Sequence, residues 1–460
     1  MPHMQNELWP DFLNQTTVNR LPIFLNVLRW WSRLRSNYWF VPTLIIAACF
    51  VLSYIMLTID YALPAGYFVR QGWVYTRDPD GARQLLSVVS QSMITVAGVV
   101  FSVTVVALAL ASNQFGTRVL KSFVRDVANQ VALGTLLGTF LYGILIMRRV
   151  ESRHGLFVPS LSVAMAIALA IFSLLVLIYF IHHVIVEIQA ENVVASVVDD
   201  LYETMDVVFP QLEKETPAPK DRLSAHEDAL LAAAGVETCC RREGFVQKVN
   251  LKDLVKLAQQ QGSTVRLLAR PGEFVSAGTA IARVRSDSTP DEQWLQQVRH
   301  AFSIGAQRSY DEDIGLGLQQ LSLIAVRSLS PAINAVGTAL DATQRLFSGL
   351  MRLDTKVIPS IYHRDENGCL RLIEKEPGFE ELFDAVFDPI RHAAATNPTV
   401  VAFIIRGLAG TLARIRKPRL RRIVCQQLER FAASTSEFPQ EFDRARVREL
   451  YETLYERRIA

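Results

Sequence analysis

The chain has 460 residues, half of them hydrophobic and a fifth charged, and its 48 Lys and Arg nearly balance 45 Asp and Glu for a net charge of +3. That length holds a membrane part and one or two further domains, and so small a charge excess gives no argument for nucleic acid. Five cysteines without C-x-x-C spacing or a disulfide framework fit a reducing compartment.

The apolar content is concentrated in residues 41–181. Residues 1–40 form an amphipathic interfacial segment whose end, Arg29-Trp30-Trp31-Ser32-Arg33, mixes arginine with aromatics as membrane anchors do. The start lacks a signal-peptide plan. Residues 41–189 read as a four-span transmembrane domain, with apolar runs at Val41–Ile59, Leu85–Ser112, Val131–Met147 and Pro159–Ile181. Lys and Arg stand on both sides of these runs, so orientation rests on the first anchor and the even span count, which put both termini in the cytoplasm.

Along the second run Gln91, Thr95, Gly98, Ser102, Val105, Ala109 and Ser112 recur at four- and three-residue steps and share one helical stripe. Such a stripe is most simply a helix-packing seam; lining a wet path is the sharper alternative. In the third run Gly134 and Gly138 make another small edge. Between these runs Ser112–Thr117 reads as a helix stop and restart, leading into a surface segment that carries Arg118, Lys121 and Arg125. The last span is expected to continue as one helix through His182-His183 to about Phe209, and His183 with Glu187 one turn on supplies only two ligands, short of a metal site.

Residues 190–240 are expected to be this membrane-exit helix and a Pro- and charge-rich linker at Lys214–Lys220. Strand-like runs then occupy a module at 241–286, with Pro271-Gly272 as a type II turn. The run resembles the small β-sandwich of biotinyl and lipoyl carriers and secretion adaptors, but it lacks their modified lysine, so neither group is expected and no cofactor is assigned. Residues 287–460 read as mainly helical: a capping box at Ser309-Tyr310-Asp311-Glu312 opens a helix to about Leu329, Ser330-Pro331 opens the next segment, and amphipathic runs follow at Phe379–Ala394, Thr399–Arg416 and Arg419–Ala433. Asn367-Gly368 marks a hairpin, and Arg414 to Arg422 form a basic knot around Pro418. The fold class is thus an α-helical membrane protein, a four-helix transmembrane bundle plus a cytoplasmic α+β domain with a small β-sandwich followed by helices.

Three motifs, Ser112-Asn113-Gln114-Phe115 with Arg118, Arg125-Asp126 and Gln130-Val131; Arg270-Pro271-Gly272-Glu273-Phe274-Val275; and Arg327-Ser328-Leu329-Ser330-Pro331-Ala332-Ile333-Asn334, resemble a bacterial family of predicted integral membrane proteins catalogued as a domain of unknown function. The family pattern continues the last motif with Asp-Pro, where this chain has Ala335-Val336. The resemblance implies the topology and a bacterial inner membrane, and it supplies no activity.

There is no nucleophile elbow, Walker loop, zinc-protease helix or dinucleotide fingerprint, so an enzyme is not expected. Scarce charge within the spans argues against proton-coupled transport. What remains is a homo-oligomeric channel or transport-related protein with a cytoplasmic regulatory domain, its partners the lipid bilayer, further copies of itself, and ions or a small ligand. The alternative is a membrane-anchored scaffold or sensor that engages a partner through the cytoplasmic domain.

Overall fold

A computed structural model describes residues 39–62, 78–115, 126–150, 158–187, 189–209, 235–286 and 290–459, the side chains through residue 454. The expectations for the amphipathic N-terminus, for Arg118 and Arg125, and for the linker at 214–220 fall outside these residues. The chain divides into two compact units between Gln189 and Ala190, and each is described by itself.

The first unit has four helices long and apolar enough to cross a membrane: α1 (Phe40–Ala62), α2 (Pro79–Phe115), α3 (Val127–Met147) and α4 (Ser160–Glu187). At a rise of about 1.5 Å per residue even α3, the shortest at 21 residues, spans the roughly 30 Å of a hydrocarbon core. Helix α3 is the axis of the bundle, buried against α1, α2 and α4 on different faces. Its small residues make this possible. A β-carbon on Gly134 would stand 2.9 Å from the Pro42 backbone of α1, and one on Gly138 2.7 Å from the Cys49 sulfur. Gly143 meets Ser90 of α2 in the same way. Towards α4 the contact is polar: the Thr139 and Ser173 hydroxyls lie 2.9 Å apart, and the buried Tyr142 hydroxyl donates to the Ser162 carbonyl at 3.1 Å.

Each end of the bundle is tied by a carboxylate at a helix N-terminus, where unpaired N–H groups attract negative charge. Asp60 of α1 accepts from Leu161 N (3.0 Å), Ser162 N (2.9 Å) and the Ser162 hydroxyl (2.6 Å), capping α4 from a neighbouring helix. Asp126 caps α3 through Ala128 N and Asn129 N.

Helix α4 does not run on to Phe209. It ends at Glu187, and α5 (Ala190–Val208) begins separately; its Val193, Val194, Val197, Val198, Leu201 and Met205 are buried in the second unit. This amphipathic stripe, rather than any Gly or Pro, is what makes α5 a core helix instead of a solvated exit.

In the second unit β1 (Val236–Cys239), β2 (Gly244–Val249), α6 (Leu251–Gln260), β3 (Thr264–Leu267), β4 (Phe274–Val275), β5 (Ala280–Arg285), α7 (Glu292–His300) and β6 (Phe302–Gly305) lead into α8 (Ile314–Ser328) and α9 (Val336–Asp354). A hairpin, β7 (Tyr362–Arg364) and β8 (Leu370–Ile373), precedes α10 (Phe379–Ala394), α11 (Pro398–Leu412), α12 (Pro418–Ala433) and α13 (Glu441–Ile459). The strands form two sheets, β1-β5-β3-β8-β7 and β4-β2-β6. Val246, Val265, Ile281, Val284, Val298 and Leu372 share one core between them, which α6 and α7 help close. The strand-bearing region therefore exceeds residues 241–286: β1 starts at Val236, β6 lies beyond Arg285, and β8 pairs in parallel with β3 through Val265 and Leu372.

The helix expected to open at Ser309 starts instead at Ile314, with Asp313 as its N-cap, because Asp313 is the carboxylate that reaches the Leu316 amide. The Ser330-Pro331 segment is a turn, and its Asn334, at φ +48°, is the one residue other than glycine with positive φ among those described. Asparagine tolerates this left-handed conformation better than other side chains, and the turn closes through Asn334 N to Ser330 O (2.9 Å) and Ala335 N to Ser328 O (2.8 Å). Gly272 and Gly278 take φ of +89° and +87°.

Candidate functional sites

The stripe on α2 lies on the outside of the four-helix unit. Its inward face is Ala82, Leu86, Ser90, Met93, Ala97, Val100, Ala107 and Ala111, while Gln91, Thr95, Gly98, Ser102, Val105 and Ala109 are all exposed and Ser112 half-buried. A seam within the bundle is thereby corrected: α2 packs on α3 through its alanine face. Nor do the hydroxyls on the stripe need a neighbour. Thr95 donates to the Gln91 carbonyl (2.8 Å) and Ser102 to the Gly98 carbonyl (2.9 Å), one turn back on their own helix. The Gln91 side-chain amide makes no hydrogen bond among the described residues, and the space around Gly98 is open for 4 Å.

The first family motif gathers at one end of this unit. Phe115 is buried, Asn113 and Gln114 are exposed at the end of α2, and Gln130 is buried in α3. Asp126, besides capping α3, stands 3.1 Å from His183 Nε2 of α4, with Glu187 at 4.0 Å from the same nitrogen. His183 is thus turned to Asp126 rather than paired with Glu187. Among the described residues no group of three or more His, Cys, Asp or Glu is placed to hold a metal.

The second unit contains a cavity of about 480 Å³, within the roughly 300–1,000 Å³ of small-molecule sites. The C-terminal end of α5, the Arg270–Glu273 turn, the Arg308–Asp313 loop, the start of α8, the segment from Ile358 to Lys375 and the start of α10 form its walls. Two charge arrangements shape it. Arg308 forks onto Asp313, Nε to Oδ2 at 2.6 Å and Nη2 to Oδ1 at 2.8 Å, while a further nitrogen meets Gln319. Asp313 is 5% exposed and also holds the first turn of α8, so one carboxylate fixes both the loop and the helix. Around the turn, Glu273 accepts two bonds from Lys375 Nζ (2.7 and 2.8 Å) and one from the Arg270 backbone N–H (3.3 Å), with Arg270 Nε ion-paired to it at 3.1 Å, and Arg270 reaches on to the Glu376 carbonyl and Glu381.

Gly272 joins the two arrangements. A β-carbon there would lie 2.6–2.8 Å from all three atoms of the Asp313 carboxyl group, so the Pro271-Gly272 motif is needed for its positive φ and for close approach to that carboxyl. On the opposite wall His363 bonds Glu374, and Glu312 takes the Val249 N–H on one oxygen at 3.0 Å. Burial, with the nearby charge of Glu374 adding to it, pushes the Glu312 carboxyl above its usual range against the pull of Val249 N–H and Lys248.

Of the family motifs, only the Arg270–Glu273 part of the second reaches this cavity, and Glu312 of the expected capping box lines it as well. Ser330, Pro331 and Asn334 are not among its lining residues, and Asn113 through Gln130 belong to the other unit. Arg308, Asp313, His363 and Glu374 were missed: the first pair lies five residues apart and the second eleven, separations that no helix or strand period singles out, and only folding brings both to one cavity. The capping position of Asp313 was the one available signal.

A family model described as "Predicted membrane protein (DUF2254)" matches residues 35–410. The chain belongs to this family. An uncharacterized protein of Mycobacterium tuberculosis, Rv1290c, is 32% identical over 383 residues, which cover 80% of this chain and 71% of the relative. The uncharacterized protein Mb1321c of Mycobacterium bovis matches to the same extent. No solved structure matches. The family is one of predicted membrane proteins, the described residues include four helices long and apolar enough to cross a membrane, and a strand-containing region follows them in the chain.

Proposed function

We propose that this DUF2254 protein crosses a bacterial inner membrane four times with both termini cytoplasmic, and that copies assemble along the outer stripe of α2 into a channel-like oligomer regulated by the C-terminal unit. The observation that carries this reading is the outward placement of Gln91 and Gly98. An amide facing hydrocarbon without a partner costs on the order of a few kcal/mol, and a glycine groove admits a second helix closely. A neighbouring copy supplies both the hydrogen bond and the helix. No catalytic chemistry is assigned.

The test is cysteine substitution at Thr95 and Ser102 in the purified protein, with its mass measured in mild detergent. An oligomer whose cysteines react with small water-soluble thiol reagents, the reaction changing ion flux in reconstituted vesicles, supports a wet path. Oxidative cross-linking between copies without flux keeps the interface and removes the channel. A monomer with unreactive cysteines refutes the assembly and leaves the second reading, a membrane-anchored sensor, which the cavity of the C-terminal unit favours. Reporter fusions at Gly72 and at the C-terminus are expected on opposite sides of the membrane.

A further inference from the structure

Hydrogen-bonding capacity in the cavity of the C-terminal unit is unevenly used. Its cations are occupied: Arg308 by Asp313 and Gln319, Arg270 by Glu273, the Glu376 carbonyl and Glu381, Lys375 by both oxygens of Glu273. Two of its carboxylates are not. Glu312 gives one oxygen to Val249 N, and the other has only the exposed Lys248 amine at 3.8 Å, beyond hydrogen-bond length. Glu374 gives one oxygen to His363, and its second takes no bond among the described residues.

The lining residues carry five carboxylates, Glu273, Glu312, Asp313, Glu374 and Glu381, against three permanent cations, Arg270, Arg308 and Lys375. Glu312 and Glu374 are half-buried, their side chains 24% and 30% exposed, and a partly desolvated carboxylate without a full set of donors is favoured by a ligand that brings positive charge. The strained position of Glu312, pushed up by burial and by Glu374, agrees with this. The rest of the wall is apolar: Phe209, Leu251, Ile314, Ile361, Phe379 and Leu382. Ligand sites of this kind bury an apolar body and fix its orientation with a few polar groups.

We propose that the cavity binds an amphipathic organic cation, its positive charge on Glu312 and Glu374 and its apolar body against the Phe209 and Leu382 walls. This names the ligand class for the sensing unit and does not depend on the oligomeric arrangement of the membrane helices. An inorganic cation suits the site less, because most of the named wall is hydrocarbon, whereas such cations take six or more oxygen ligands.

Tetraphenylphosphonium and tetraphenylborate have the same shape and opposite charge, so the pair separates charge recognition from greasiness. Equilibrium dialysis of each probe against the full-length protein in non-ionic micelles, with empty micelles as the blank, is expected to show saturable binding of tetraphenylphosphonium alone. Glu312→Gln, which keeps an acceptor for Val249 N–H, is expected to weaken that binding at least tenfold while circular dichroism stays unchanged. Leu382→Trp, which fills the apolar side, is expected to abolish it. Equal uptake of the two probes, unchanged binding in a Glu312→Gln, Glu374→Gln double variant, or no saturable uptake of either tetraphenylphosphonium or benzyltriethylammonium overturns the proposal. Light scattering of the same micelles reads the assembly state separately, so either conclusion can fail while the other stands.

Discussion

Replacing Gly272 by alanine tests whether the Pro271-Gly272 turn and the Arg308–Asp313 pair are one unit. Two costs arise. An L-residue at φ +89° loses about 1–2 kcal/mol from backbone crowding. The new methyl group would also stand 2.6–2.8 Å from the Asp313 carboxyl, which must move. Asp313 is buried, forked by Arg308 and capping α8, and outright loss of one partner from such a pair costs about 3–5 kcal/mol. The cap adds about 1 kcal/mol. Because the carboxylate is displaced rather than deleted, we expect roughly half of that, an excess of about 2–3 kcal/mol over the backbone cost.

Gly278 is the control, since its φ of +87° is nearly the same and nothing lies within 4 Å of its hypothetical β-carbon. Gly278→Ala is expected to show the backbone cost alone. Hydrogen exchange of the full-length protein in micelles reads both variants locally, at α8 and at β2, without requiring two-state unfolding. In Gly272→Ala, exchange across Leu316–Leu321 is expected to be faster than in Gly278→Ala by about thirty-fold, which corresponds to about 2 kcal/mol at a tenfold change per 1.4 kcal/mol. Equal effects of the two substitutions would refute the close approach and with it the role assigned to the motif.

Gly138→Leu is expected to separate α1 from α3 and lower thermal stability in detergent, whereas Gly98→Leu leaves the isolated four-helix fold intact and reduces only the oligomer mass; a fold-destabilising Gly98→Leu would contradict the outward stripe. Asp60→Ala removes three acceptor contacts at the start of α4 and is expected to cost about 1–3 kcal/mol, seen as loss of protection at Leu161 and Ser162. Glu312→Gln mimics the protonated acid. Since burial raises the folded-state pKa of Glu312, the native contribution is full below the ordinary glutamate range and is lost as pH rises from there through the raised folded-state value. The variant should therefore match the parent in acid and melt higher at neutral pH, and a variant that melts lower at neutral pH would show that Glu312 is stabilising as an anion.

How legible all this was depends on distance along the chain. The existence of the four apolar helices, the limits of α10 and α12, and the Asn367-Gly368 hairpin follow from local patterns, although α4 stops well short of its expected end. The facing of α2 was not legible, because its inner line of Ala97, Ala107 and Ala111 and its outer line of Thr95, Gly98 and Ser102 are both small, and only the Gly143–Ser90 approach decides between them. The break between α4 and α5 has no Gly or Pro to mark it; burial of Val194 and Leu201 in the second unit overrides continuous helix propensity. The cavity was least legible, since Glu273 meets Lys375 only across folded segments, while Arg308–Asp313 and His363–Glu374, five and eleven residues apart, follow no regular period.

The parallel pairing of β3 with β8 bears on how the chain is made. In chain order β5, one neighbour of β3, ends at Arg285, whereas Leu372 of β8, its other neighbour, comes only after α7, α8 and α9. A chain made only that far leaves β3 with an open edge, the kind of surface that pairs with other chains. Helices α8 and α9 form from local contacts and can precede the sheet, so the second unit closes late. Truncation before Leu370 should therefore yield aggregation rather than a smaller folded module.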